Sequence, residues 1–135
     1  MSDYGMDIPL EQDLEEIPEP QPVPNGEYVL TVVQMILGKS KSSGAPMYTA
    51  IMEIMDVADA QQVKYYMPLP VPEDDENQTK SKLRKVKKFA KACGLPMQGL
   101  VMQDAEGCTL SAVLKEREFE GYLSNEIKYL IAPGA

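Results

Sequence analysis

NQTKSKLRKVKKFAKACGLP, residues 77–96, sets Leu83, Val86, Phe89 or Ala90, and Cys93 at helical spacing in a chain whose other apolar runs look like strands. Gly94 stands where a C-cap belongs and Pro96 blocks continuation. Glu73, Asp74, Asp75 and Glu76 precede the stretch, where the helix dipole favours acids. One helix is therefore expected here. Before it lie β-branched runs at 27–37, 46–57 and 62–69; after it come 108–118 and 122–131, joined by a turn at Glu120-Gly121. Three strands, a helix and a two-stranded hairpin is the element order of an OB-fold, an order that other small α+β folds share. The expectation is thus a mainly β domain over residues 25–135: a five-stranded Greek-key barrel of OB type, with one α-helix between strands 3 and 4.

Residues 1–24 differ in kind. Pro9, Pro18, Pro20, Pro22 and Pro24 disfavour helix and sheet ladders, and the segment reads as an extended arm with at most a helical turn around Leu10 to Ile17. The net charge of the chain is -8, yet residues 1–25 contribute -7 of it, from Asp3, Asp7, Glu11, Asp13, Glu15, Glu16 and Glu19 with no Lys or Arg. The body is nearly neutral. An acidic overall balance therefore says little about the surface of the folded domain.

Several function classes lose their chemistry at once. Histidine is absent and the two cysteines, Cys93 and Cys108, match no metal knuckle or disulfide framework. No phosphate loop of the Walker type and no GxSxG elbow occurs. The dense carboxylates at 73–76 have the simpler role of preceding a helix. A non-enzyme without cofactor or metal is expected. No apolar run reaches the ~20 residues of a membrane span, and the acidic N-terminus is unlike a secretory signal, so a cytoplasmic protein is expected.

Alternation of side chains sorts the strands into two faces. In the third, Val63, Tyr65, Met67 and Leu69 share the inner face, and Lys64 and Tyr66 the outer. In the fourth, Leu110, Ala112 and Leu114 point inward, so Lys115, Arg117 and Phe119 point out. In the fifth, Leu123, Ile127, Tyr129 and Ile131 are expected inside, with Tyr122, Ser124 and Lys128 outside. Three strands thus pair an aromatic with a base on the outer face. Single-stranded nucleic acid uses both, stacking its bases on rings for ~1–3 kcal/mol each and its phosphates on Lys and Arg. The plainer use of such rings is to cover the helix or arm.

Two further features point the same way. The helix holds Lys80, Lys82, Arg84, Lys85, Lys87, Lys88 and Lys91, seven of the 13 basic residues, suited to a phosphate backbone or to an acidic arm. GKSKSSGAP (38–46) is the loop between the first two strands, one of two that flank the ligand groove of an OB-fold. There Lys39 and Lys41 would reach phosphates. An ordinary solvated hairpin loop would have a similar composition. For Tyr48, parity with Ala50, Met52 and Ile54 argues for the inner face.

GEYVLTVVQMILGKSKSSGAPMYTAIMEI (26–54), KKFAKACGLP (87–96) and EGYLSNEIKYLIAP (120–133) resemble the short single-stranded-DNA-binding proteins encoded by bacteriophages, over roughly residues 24–133. The resemblance implies an OB-fold that coats single-stranded DNA in phage replication or recombination, in the host cytoplasm. It nominates Lys39, Lys41, Tyr48, Tyr122 and Asn125. Lys64, Tyr66, Lys115, Arg117, Phe119 and Lys128 come from alternation, which proposes Tyr122 independently. The chain departs from such proteins in ending blandly at IAPGA while beginning with acids. Residues 1–24 are the expected contact for replication or recombination proteins, with a homo-oligomer left open. The alternative is a protein-interaction or virion-associated domain whose acidic arm binds a protein partner.

Overall fold

The computed structural model describes residue 11 and residues 13–131; the start of the expected arm and the last four residues lie outside the described residues. Among the described residues five strands form one antiparallel sheet: β1 (Gly26–Lys39), β2 (Pro46–Ile54), β3 (Val63–Pro68), β4 (Thr109–Phe119) and β5 (Tyr122–Ile131). The sheet order is β3-β2-β1-β4-β5, and the one α-helix among the described residues, α1 (Glu76–Cys93), falls between β3 and β4. Strand count, helix and turn positions agree with expectation. The barrel does not: the sheet is not closed, and β3 and β5 remain its two edges, although they approach each other closely.

The long β1 explains how one sheet wraps a core. Its first half pairs with β4 from Gly26↔Leu114 to Thr31↔Thr109, and from Leu30↔Ile54 down to Lys39↔Pro46 it pairs with β2, so Leu30 and Thr31 are paired on both sides. A bulge at Val33 lies just past the last β4 pair, and it flips the inward parity from Leu30 and Val32 to Met35. The 3₁₀ turn Met102–Ala105 and the residues after it satisfy the backbone opened there. The Gly107 N–H donates to the Val32 carbonyl at 2.7 Å, and the Met35 N–H donates to Glu106 Oε2 at 2.9 Å.

The core gathers Leu30, Val32, Met52, Val63, Met67 and Leu114 around Phe89, all fully buried. Phe89 anchors α1, and removing its ring would cost about 3–5 kcal/mol. The helix begins with a reciprocal cap: Asp75 accepts from the Gln78 N–H while the Gln78 side chain accepts from the Asp75 N–H. It ends at Gly94, whose φ of 76° is left-handed. Leu83 departs from the expected apolar face. It is half exposed, because α1 meets the sheet through its second half, where Phe89, Ala90 and Ala92 are buried.

Between the edge strands sits the root of the N-terminal segment. Gln21 bridges to Ala60 in parallel, and the Gln61 side chain donates to both the Pro20 and Leu123 carbonyls. Val23 is buried in the core. Residues 21–24 therefore belong with the body, contrary to an arm extending through residue 24. The described remainder is exposed, with a 3₁₀ turn at Leu14–Glu16 inside the expected range.

Candidate nucleic-acid interface

Past Leu114 and Ile127 the β4–β5 ribbon outruns β1 and projects from the sheet. Three cross-strand pairs line up on it: Lys115↔Glu126, Arg117↔Ser124 and Phe119↔Tyr122. At the tip, Phe119 is 62% exposed and Tyr122 79%. Glu120 and Gly121 turn the chain with φ of 52° and 82°, both left-handed, as a two-residue hairpin of type I′ requires. Arg117 lies 6.0 Å from the Phe119 ring centroid, and Glu126 pairs with Lys115 at 3.1 Å and Arg117 at 3.5 Å.

The ribbon leads into a cleft of ≈ 1020 Å³ walled by β3, α1 and β5. Arg84, Lys85, Lys88 and Lys91 come from the helix, Lys64 from β3, and Arg117 and Lys128 from the ribbon. Among the described residues, Glu126 is the one carboxylate against these seven cations. Lys85 is half-buried with its ammonium 4.9 Å above the centre of the Tyr65 ring, which itself stacks on Phe89. Burial lowers the Lys85 pKa and raises that of Tyr65. A cation that has already shed part of its water gains more from an arriving anion than a fully solvated one.

The position of α1 against β3 is fixed by a polar joint. Asp74 Oδ2 accepts from Lys82 Nζ at 2.7 Å and from the Val71 N–H at 3.1 Å, while Lys82 also reaches the Leu69 carbonyl. The Lys82 hydrogen bond and then that of Val71 hold the Asp74 carboxyl below its usual pKa.

The expected site residues divide into groups. Lys64, Tyr66, Arg117 and Lys128 line the cleft, and Phe119 and Tyr122 crown the ribbon beside it. Lys115 is engaged with Glu126. Lys39 and Lys41 are exposed beside a loop closed by the Ser40 N–H donating to the Ala45 carbonyl, and they do not line the cleft. Tyr48 is half-buried and packs against the core, as its parity argued.

Asn125 borders the cleft but is buried, with its side-chain amide bound to the backbone of Val23. It is a structural residue. Two of the residues expected inside β5 are exposed. Leu123 lies where the ribbon has outrun β1, and Tyr129 follows a bulge at Lys128 that turns Leu130 inward instead. The helix wall was legible as a stripe: Ser81, Arg84, Lys85, Lys88 and Lys91 recur at three- and four-residue steps and hold no acid.

Among the described residues no group of His, Cys, Asp and Glu could hold a metal ion, and no helix is long and apolar enough to cross a membrane. No curated protein matches the sequence. Residues 11–118 match DUF669, described as a protein of unknown function. That match takes in β1 to β4 and both the β3 and α1 walls of the cleft, and it covers well over half of the chain, which therefore belongs to the DUF669 family.

Proposed function

We propose that this protein is a sequence-tolerant single-stranded DNA-binding module built on an OB-type barrel left open at one seam. The order β3-β2-β1-β4-β5 is what a five-stranded Greek-key barrel gives when cut between β3 and β5. The observation that carries the function is the concentration of seven cations around one cleft, next to an exposed aromatic pair, in a chain of net charge -8. Such charge focusing in an acidic protein favours a polyanion, and free rings favour unpaired bases over a duplex. A role in phage replication or recombination follows from the sequence resemblance.

The test is anisotropy of a labelled oligo-dT titrated with the full chain at low and moderate salt, with duplex DNA as competitor. Neutralising about four to six phosphates gives a slope of log affinity against log salt of about -3 to -4. Absence of binding at low salt overturns the proposal. The second reading, a protein-binding domain, draws on the exposure of Asp13, Glu15, Glu16 and Glu19 along the arm. It leaves the charge of the cleft without a use.

A further inference from the structure

We infer that the two walls of the cleft do different work: α1 takes the phosphates and the sheet edges take the bases. This rests on the single-strand reading and adds an orientation to it. The helix wall offers Arg84, Lys85, Lys88 and Lys91 with Ser81 as a neutral donor, and not one ring. From Arg84 to Lys91 this stripe runs roughly 10 Å along the axis, which spans more than one phosphate of a strand. Every ring that lines the cleft comes from the sheet. Tyr65 is already committed, to Phe89 beside it and to the Lys85 ammonium above it. Tyr66 on β3 and Tyr129 on β5 are 48% and 55% exposed and free to accept a base.

A strand lying in this cleft is thus turned with its backbone along α1 and its bases toward the edges of β3 and β5. A duplex cannot adopt that arrangement. Its bases are stacked inside and it shows phosphates on both flanks, so it meets the helix wall while leaving both tyrosines unused. The sheet wall also carries Lys64, Arg117 and Lys128, but it alone holds rings, so selection for single strands comes from the opposition of a purely cationic wall and one that adds aromatics, without any contact that reads sequence.

The experiment compares oligo-dT with an abasic oligonucleotide of equal length, which keeps the phosphates and lacks the bases. Two full-length variants are used, Arg84→Gln/Lys88→Gln and Tyr66→Ala/Tyr129→Ala, all at exposed positions, with far-UV circular dichroism confirming the fold. The helix variant is expected to weaken both ligands by the same factor and to make the salt slope shallower by about 1.4, the value for two phosphates of a single strand. The tyrosine variant should weaken oligo-dT by roughly 5- to 150-fold per stacked base, leaving the abasic ligand unchanged. The inference is overturned if the helix variant binds as the wild type does, or if the tyrosine variant loses both ligands equally. Wild-type protein that binds neither ligand overturns the single-strand reading itself.

Discussion

The side-chain amide of Asn125 bridges both backbone groups of Val23, accepting from its N–H at 2.8 Å and donating to its carbonyl at 2.9 Å. An amide carries its acceptor and its donors on separate atoms, so one side chain can meet both backbone groups at once. It thereby ties β5 to the segment that enters β1, across most of the length of the sequence. Asn125→Ala would leave two buried backbone groups without partners, at about 1–3 kcal/mol each. Urea denaturation should show a loss of about 2–6 kcal/mol, and Asn125→Asp at neutral pH, which keeps the acceptor but sets a buried charge against the Val23 carbonyl, should be no milder. Removal of residues 1–19 should leave the urea midpoint in place, whereas removal of 1–24 should lower it. Equal midpoints for the two truncations would mean that Val23 is dispensable.

Phe119 and Tyr122 face each other across the ribbon with most of their surface in water. Replacing either by Ala should cost about 1–3 kcal/mol in oligo-dT binding while leaving the thermal midpoint nearly unchanged. Loss of stability without loss of binding would assign the pair to the hairpin alone.

Glu120 holds a left-handed φ of 52° that a carboxylate side chain does little to favour. Glu120→Asn supplies the residue type that this turn prefers and should add about 0.5–1 kcal/mol of stability. It also removes a negative charge beside the aromatic tip, so oligo-dT affinity should rise modestly at low salt. Unchanged stability would show that the turn is not limiting.

Asp74 carries a pH dependence. Its folded pKa lies below its unfolded value, so its pairing with Lys82 stabilises the fold fully above the ordinary carboxylate range, near pH ~4. That contribution fades as pH falls through the lowered folded pKa. Asp74→Asn should therefore be less stable than the wild type at neutral pH, with the gap narrowing in strong acid. Parallel stability curves for the two proteins from neutral pH into strong acid would contradict this assignment.

Cys93 lies at the end of α1, and burial first, then the nearby Cys108, pushes its thiol up to about 12. Since the thiolate is the reactive form, maleimide labelling of a Cys108→Ser protein at pH 8 should be slow and should accelerate sharply in urea. Rapid labelling of the native protein would place Cys93 in solvent.

Strand and helix positions are legible in the sequence because they rest on local patterns: β-branched runs, a capped helical period, and Glu120-Gly121 between two strands. The faces of β3 and β4 follow from alternation. Alternation fails on β5 because a single extra residue, Lys128, inverts the parity after Ile127 and sends Tyr129 outward. It fails at Leu123 for another reason: the ribbon there has no sheet to cover it. The role of Asn125 depends on Val23, a contact between opposite ends of the chain that no local period reveals. The basic stripe on α1 is visible in the sequence, but its use depends on which wall the helix faces.

The division of β1 between two neighbours also sets the order of assembly. The β1–β2 and β4–β5 pairings each close over nearby residues, whereas joining β1 to β4 requires Gly26–Thr31 to meet Thr109–Leu114, near the other end of the chain. Loop-closure entropy is greatest for that union, which is therefore the expected slow step of folding. The cleft draws one edge from each unit, so its charge is scattered until they dock. A nascent chain still lacking β5 on the ribosome has the helix lysines but no groove, and the cleft is complete only once β5 has joined.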